Sequence, residues 1–211
     1  MNRNDRLRRV LATAITLAIP LATVAPMTGC TCGIKKHDKL IRLDEECNNA
    51  WADVEAQYQR RLDLLPNAVK IAKKVAEHES ETLTAVTEAR ASATQVKITA
   101  KDLNDPEKMK KFEASQQEVA QSFGKLMHVA EKYPELKADK AFQDLMTQVE
   151  GTENRILQAR KKYNKAVAAY NTELRIVSGK ALDAITGDEM FQPRTPFSAQ
   201  AGAENAPDLD L

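Results

Sequence analysis

The sequence predicts an all-α chain: an elongated antiparallel up-and-down bundle of about four long helices behind an N-terminal signal or anchor segment. Three observations carry this. Aromatics are only 5%, with 7 Gly and 8 Pro, while Ala, Glu, Lys, Leu and Gln dominate, a composition that suits long helices and is poor in strand formers. Apolar residues recur at steps of three and four over long stretches. Prolines and turn-forming clusters fall between those stretches. At 211 residues, 43% of them apolar, the chain has room for one domain with a continuous core plus processing segments.

Residues 1–29 read as a signal peptide or membrane anchor. The cluster Arg6-Leu7-Arg8-Arg9 precedes residues 10–34, which carry no charge, the n-region and h-region order of an export signal. Pro20 and Pro26 interrupt any continuation as a helix. Met27-Thr28-Gly29-Cys30 resembles a bacterial lipobox, with Met where Leu is usual, and makes Cys30 the candidate lipidation site. Acyl chains there would replace a spanning helix, each buried methylene contributing about 0.8 kcal/mol. The alternative is an uncleaved span over residues 10–34, which the positive-inside rule orients the same way. Either anchor places the domain in the cell envelope, on the periplasmic side, at the inner or the outer membrane. Residues 30–38 are polar and basic and read as a tether.

The bundle is expected over residues 39–191. A first amphipathic helix begins at Leu40 and continues through Leu43, Cys47, Trp51, Val54, Tyr58, Leu62 and Leu65. Leu65-Pro66-Asn67 predicts a kink or short break, because Pro66 lacks a donor and clashes with the preceding turn. A second helical stretch then runs to about Lys101 with Val69, Ala72, Val75, Leu83, Val86, Ala89, Ala93 and Val96 inward. Asp105 and Pro106 supply a cap and a first-turn proline for a third helix, whose inward residues are Met109, Phe112, Val119, Phe123, Leu126 and Ala130, and which Tyr133-Pro134 ends. The last stretch is the most regular, with Phe142, Leu145, Val149, Thr152, Ile156, Ala159, Tyr163, Ala166, Tyr170, Leu174 and Val177 at a mean step of about 3.5 residues, the coiled-coil value. One more short helix fits residues 181–190. From Gln192 onward, Pro193, Pro196, Gly202 and Pro207 read as a disordered tail over 192–211, with Phe191 and Phe197 as candidates to dock back on the bundle.

Charge excludes one class of partner. Four of the 31 basic residues (Arg3, Arg6, Arg8 and Arg9) and one of the 30 acidic ones (Asp5) lie before residue 30, so the domain itself is slightly acidic and has no basic block for nucleic acid. No catalytic, metal or cofactor constellation is readable. His37, His78 and His128 lack metalloprotease or di-metal spacing, and no phosphate loop, nucleophile elbow or CxxC occurs. The three cysteines form no disulfide framework, and Cys47 falls on an apolar helix face.

Two polar clusters interrupt the apolar pattern. Glu150-Gly151-Thr152-Glu153-Asn154-Arg155 sits in the most regular helix, where Gly151 costs about 1 kcal/mol relative to Ala. Close packing against a neighbouring helix, with Glu153, Asn154 and Arg155 making inter-helix hydrogen bonds that set register, is the structural explanation; a partner site is the functional one. Arg60 and Arg61, with Asp63, Pro66 and Asn67, form the second cluster, and carboxylates such as Glu88 or Glu153 are the expected partners of its arginines. All of these residues, Gly151 and Thr152 included, are candidate structural or interaction positions.

The motif Arg60-Arg61-x-Asp63-Leu64-x-Pro66-Asn67 is followed by His78-Glu79-x-Glu81-Thr82-Leu83 and Glu88-Ala89-Arg90-Ala91, then by Tyr133-Pro134-Glu135-Leu136, Glu150-Gly151-Thr152-Glu153-Asn154-Arg155, Tyr163-Asn164 and Tyr170-Asn171-Thr172. In this order and spacing the chain resembles the LemA family. The resemblance implies a membrane anchor followed by a long antiparallel helical bundle, and no established catalysis. The lipobox-like site and the Pro-rich tail depart from the family pattern. The function expected is a non-enzymatic, membrane-anchored envelope scaffold or adaptor, with an unidentified protein partner and self-association through helical faces into a homo-oligomer. The alternative is a sensor or regulator of an envelope protease or signalling system, with His78 among Glu77, Glu79 and Glu81 as a protonation- or cation-responsive patch.

Overall fold

The computed structural model describes residues 30–177 and 191–198. The signal or anchor segment, the short helix expected over 181–190, and residues 199–211 lie outside the described residues. Among those described, every regular element is a helix: α1 (Cys30–Lys73), α2 (Ser80–Gln95), a 3-10 turn (Ala100–Asn104), α3 (Pro106–Lys132), the single-turn α4 (Pro134–Ala138) and α5 (Lys140–Val177). No helix among them is long and apolar enough to cross a membrane.

Helix α1, at 44 residues, spans about 66 Å at 1.5 Å per residue. Two expectations about it change. The stretch read as a tether forms its first turns, since residues 31–38 contain no proline and Gly33 alone does not stop the helix. The helix also continues through Pro66 to Lys73. Proline leaves the carbonyl four residues back without its helical donor, here that of Leu62. Arg90 of α2 supplies the replacement, its Nε donating to the Leu62 carbonyl at 3.1 Å, while the Pro66 ring is exposed. The break comes instead at residues 74–79, where the backbone tightens into Lys74 to Ile71 and Val75 to Ala72 bonds of 3.2 Å and buried Ala76 allows a close reversal. Replacing Arg90 by alanine is therefore expected to cost about 1 kcal/mol, the penalty of an orphaned carbonyl. Adding Pro66→Ala, which restores the N–H donor, should recover most of it. Urea midpoints of the single and double variants measure this coupling.

Asp105 caps α3 as expected, accepting from the amides of Glu107 at 2.9 Å and Lys108 at 3.2 Å, with Pro106 in the first turn. The named inward residues of α3 are all buried. On α5 the stripe from Phe142 to Leu174 is buried as read except at Ala166, which is half-buried while Val167 takes the core position.

Helices α1 and α5 are antiparallel and form the spine. Lys39 pairs with Glu173 at 2.6 Å, Asp53 with Lys162 at 2.5 Å and Arg61 with Glu153 at 2.9 Å, so positions rise along one helix as they fall along the other. The first two pairs lie at the surface and contribute little; they report register more than stability. Helix α2 is only 16 residues long and packs beside α1 and α3, so four helices surround the core only at the end near Lys73. There Leu65, Ala72, Val86, Val119, Leu126 and Phe142 belong to one apolar cluster. Toward Cys30 the spine would lie open. A second cluster there joins Trp51, Tyr58, Tyr163 and Tyr170 to Leu103 of the 3-10 turn and to Phe197.

The disordered tail expected from Gln192 is corrected for residues 192–198, which lie extended against the spine. Composition misjudged them because a segment of prolines and polar residues can be held by partners elsewhere even when it has no periodicity of its own.

Candidate functional site

Between the two apolar clusters lies a polar layer, where two of the sequence's candidates, Arg61 of α1 and Glu153 of α5, meet. Arg61 is 3% exposed. Its Nη1 donates to the two carboxylate oxygens of Glu153 at 2.9 and 3.3 Å, and its Nη2 donates to the backbone oxygen and Oε1 of Gln116 at 2.6 and 2.8 Å. The guanidinium also stacks over Tyr58, 5.0 Å from the ring centroid. Three helices are thus joined through one cation. Its Nε has no acceptor among the described residues. Glu153, with 41% of its side chain exposed, keeps one edge in water. Thr152, fully buried, donates to the Gln148 carbonyl at 2.7 Å and accepts from Arg155 at 3.3 Å, so its hydroxyl is satisfied within α5.

The other candidates lie outside this network. Arg60, Asp63 and Arg155 are exposed around a shallow surface depression, where Gln59 donates to Asp63 at 2.8 Å. Pro66, Asn67, Glu88 and Asn154 are exposed, and Arg61 takes Glu153 rather than Glu88. Gly151 corrects the packing explanation. A Cβ there would meet only the Arg155 guanidinium, at 3.7 Å, and no neighbouring helix. Gly151→Ala is therefore expected to stabilise the protein by about 0.5–1 kcal/mol through helix propensity alone, read as a higher urea midpoint. His78 is exposed in the turn between α1 and α2, Glu79 pairs with Lys132 at 3.6 Å, and no three of His, Cys, Asp and Glu come together as a metal-holding set among the described residues.

Above the polar layer, a groove of about 530 Å³ runs between α3 and α5, with Tyr58 and Arg61 on its floor and Glu113, Arg160 and Ser198 on its walls. Burial raises the Tyr58 phenol above its usual range, against the pull of Arg160 and Arg61. Glu113 accepts both the amide (2.9 Å) and the hydroxyl of Ser198, while Arg160 donates to the Ser198 carbonyl at 3.1 Å. The charges of the groove therefore hold the chain itself.

A LemA family model matches residues 50–211, from Ala50 in α1 onward. The chain belongs to the LemA family. Protein LemA of Metamycoplasma hominis is 23% identical over 141 residues, which cover 67% of this chain and 60% of that relative, so the match leaves two-fifths of the relative's length unspanned.

The LemA-family motifs include side chains whose work the sequence did not disclose. Asn164 and Asn171, one heptad apart on α5, each bind the backbone of the extended segment twice. Asn171 donates to the Arg194 carbonyl at 2.8 Å and accepts from the Arg194 amide at 2.9 Å; Asn164 does the same with Phe197 at 3.2 and 2.9 Å. Tyr163 donates to the Thr195 carbonyl at 3.0 Å, and the Thr195 amide donates to the Leu103 carbonyl at 2.7 Å. The guanidinium of Arg194 reaches Asp44 at 2.7 and 3.0 Å and the Ala100 carbonyl. Phe197 stacks on Trp51 at 5.8 Å, meets the edge of Tyr163 at 5.5 Å and lies 4.6 Å from the Arg160 guanidinium. The repeated Tyr-Asn pair at 163–164 and 170–171 was the available signal for this site.

The same end of the bundle carries its alkaline sensitivity. Burial pushes the Cys47 thiol from 9.0 to about 11, with Asp44 adding to the effect, and the Tyr170 phenol from 10.0 to about 12, again with Asp44 second. A proton held more tightly in the folded state stabilises fully below the unfolded pKa and loses that contribution as pH rises through the folded one. The contribution of these two groups is expected to be constant up to about pH 9 and to fall away between about pH 9 and 12. A Cys47→Ala variant should lose the part of that fall between about pH 9 and 11, followed by Tm against pH.

Proposed function

We propose that this LemA-family chain is a non-enzymatic envelope protein, held to a membrane by its N-terminus, whose bundle serves as a scaffold or adaptor on the periplasmic side. The observation that carries this reading is where its motif residues are used. Arg61 and Glu153 join helices, Arg90 repairs the proline site, and Asn164 and Asn171 hold residues 191–198, so that polar chemistry is directed at shape. Anchoring rests on Arg6-Leu7-Arg8-Arg9 ahead of the uncharged stretch 10–34, with Cys30 as the lipid-bearing residue or, failing that, an uncleaved span. Self-association rests on the exposed apolar residues Ile41 and Ile176, which is 65% exposed.

Proximity labelling from the anchored protein in its native cell is the test. Reproducible enrichment of a small set of envelope proteins supports an adaptor; labelling indistinguishable from that of an inert anchored helix rejects it. Selective enrichment of an envelope protease or signalling receptor would move the reading to a sensor or regulator. Intact mass of the membrane-extracted chain decides the anchor, a lipid-bearing species beginning at Cys30 against an intact Met1 start.

A further inference from the structure

We infer that the face of α1 and α5 toward Cys30 is a peptide-recognition site: it takes an extended peptide carrying a cation and, three residues later, an aromatic ring, and residues 191–198 are a copy of that ligand carried in the chain itself. This names a partner class for the adaptor role and rests on that reading for its place in the cell.

Three features separate this docking from ordinary tail packing. The first is its direction at the backbone. Both asparagines use carboxamide donor and acceptor together on one residue's C=O and N–H, the pairing one strand offers another, and this recognises an extended chain whatever its side chains are.

The second is register. Seven residues of helix advance about 10.5 Å, and three residues of extended chain advance about 10 Å. Asparagines at positions 164 and 171 therefore meet residues 197 and 194 in phase, a match that lets any extended peptide engage both at once.

The third is selectivity concentrated at two positions, with lesser side-chain contacts from Gln192 to Asn104 and from Ser198 to Glu113. A pocket formed by the rings of Trp51 and Tyr163 and the guanidinium of Arg160 takes the ring of Phe197, and Asp44 with the Ala100 carbonyl takes the cation of Arg194. Gln192, Pro193 and Pro196 between and beside them are exposed, and the prolines favour the extended form that the site requires. The segment makes no regular structure of its own and its partners lie elsewhere in the chain, as a bound peptide's would. Tethering through residues 178–190 gives it a high effective concentration, so a partner peptide must displace it.

The experiment uses the full chain in detergent micelles, carrying Arg194→Ala and Phe197→Ala, titrated with a blocked synthetic peptide of residues 191–198. Trp51, the single tryptophan, stacks on Phe197 and reports occupancy by its emission. A saturable change is expected, with affinity at least about tenfold tighter than for the wild-type chain, whose own segment competes. Binding should weaken about tenfold or more when Asn164→Ala and Asn171→Ala are added, or when alanine replaces the peptide's last phenylalanine. No saturable change up to millimolar peptide in a variant with native helical circular dichroism would overturn the proposal, as would equal binding of a scrambled peptide.

A second measurement needs no variant. In the wild-type chain the amides of Arg194, Thr195 and Phe197 are expected to exchange hydrogen by local release, at least about tenfold faster than buried amides of α1 and α5. Exchange no faster than those helix amides would make the segment part of the fold and sink the idea. Failed peptide binding with successful proximity labelling removes only this site; the reverse result removes the adaptor role and leaves the site.

Discussion

Glu153→Ala is expected to cost about 3 kcal/mol of unfolding free energy, whereas Arg61→Met should cost about 1–2 kcal/mol, chiefly from the buried Gln116 acceptors it leaves without their donor, although the two substitutions break the same ion pair. The difference follows from burial. Arg61 is 3% exposed, so deleting Glu153 leaves a desolvated cation held only by Gln116 and the Tyr58 ring. Removing the cation instead leaves a carboxylate that already has 41% of its side chain in water, and methionine fills the space against apolar neighbours. The double variant Arg61→Met, Glu153→Ala should be close to the Arg61→Met variant alone, because the carboxylate then has no cation to compensate. Urea unfolding of the four chains gives the cycle directly. Equal losses for both single variants would mean that the pair acts by mutual attraction and that desolvation of Arg61 is not the governing cost.

Phe197→Ala is the second large effect, about 3 kcal/mol, in the range for removing a buried phenylalanine. Here the loss has a ceiling. Once it exceeds the docking free energy of residues 191–198, the segment leaves and no further penalty accrues. The expected result is a lower urea midpoint and a red-shifted Trp51 emission, as water reaches the indole, with helical circular dichroism largely retained. The neighbouring change Pro196→Ala, at an exposed residue, should do little by comparison.

How legible these features were depends on the range of the interaction that makes them. Helix α3 was readable to its caps, because Asp105, Pro106 and the apolar repeat from Met109 to Ala130 act within a few residues of one another. Pro66 shows the opposite case. A proline interrupts a helix unless something satisfies the freed carbonyl, and Arg90, on another helix, supplies that hydrogen bond. The hairpin at residues 74–79 then fell where neither glycine nor proline marked it. Gly151 invited a close-packing explanation that the structure replaces with open space beside Arg155. For the polar layer, the Arg61 to Glu153 pair was among the expected combinations, but Gln116 was not, since a glutamine on an amphipathic helix reads as solvated surface until the backbone carbonyl beside it turns out to face a buried arginine.

By itself, then, the sequence determined the helical class, most of the inward faces of α3 and α5 and the cap at Asp105, because local propensity and periodicity act along the chain; the order and spacing of its motifs carried the resemblance to the family. Only the tertiary structure decided that α1 runs unbroken through Pro66, that one buried arginine ties three helices together between two apolar clusters, and that residues 191–198 lie ordered in the grip of Asn164 and Asn171. Each of these depends on a donor meeting an acceptor from a distant segment, and no pattern within either segment encodes that meeting.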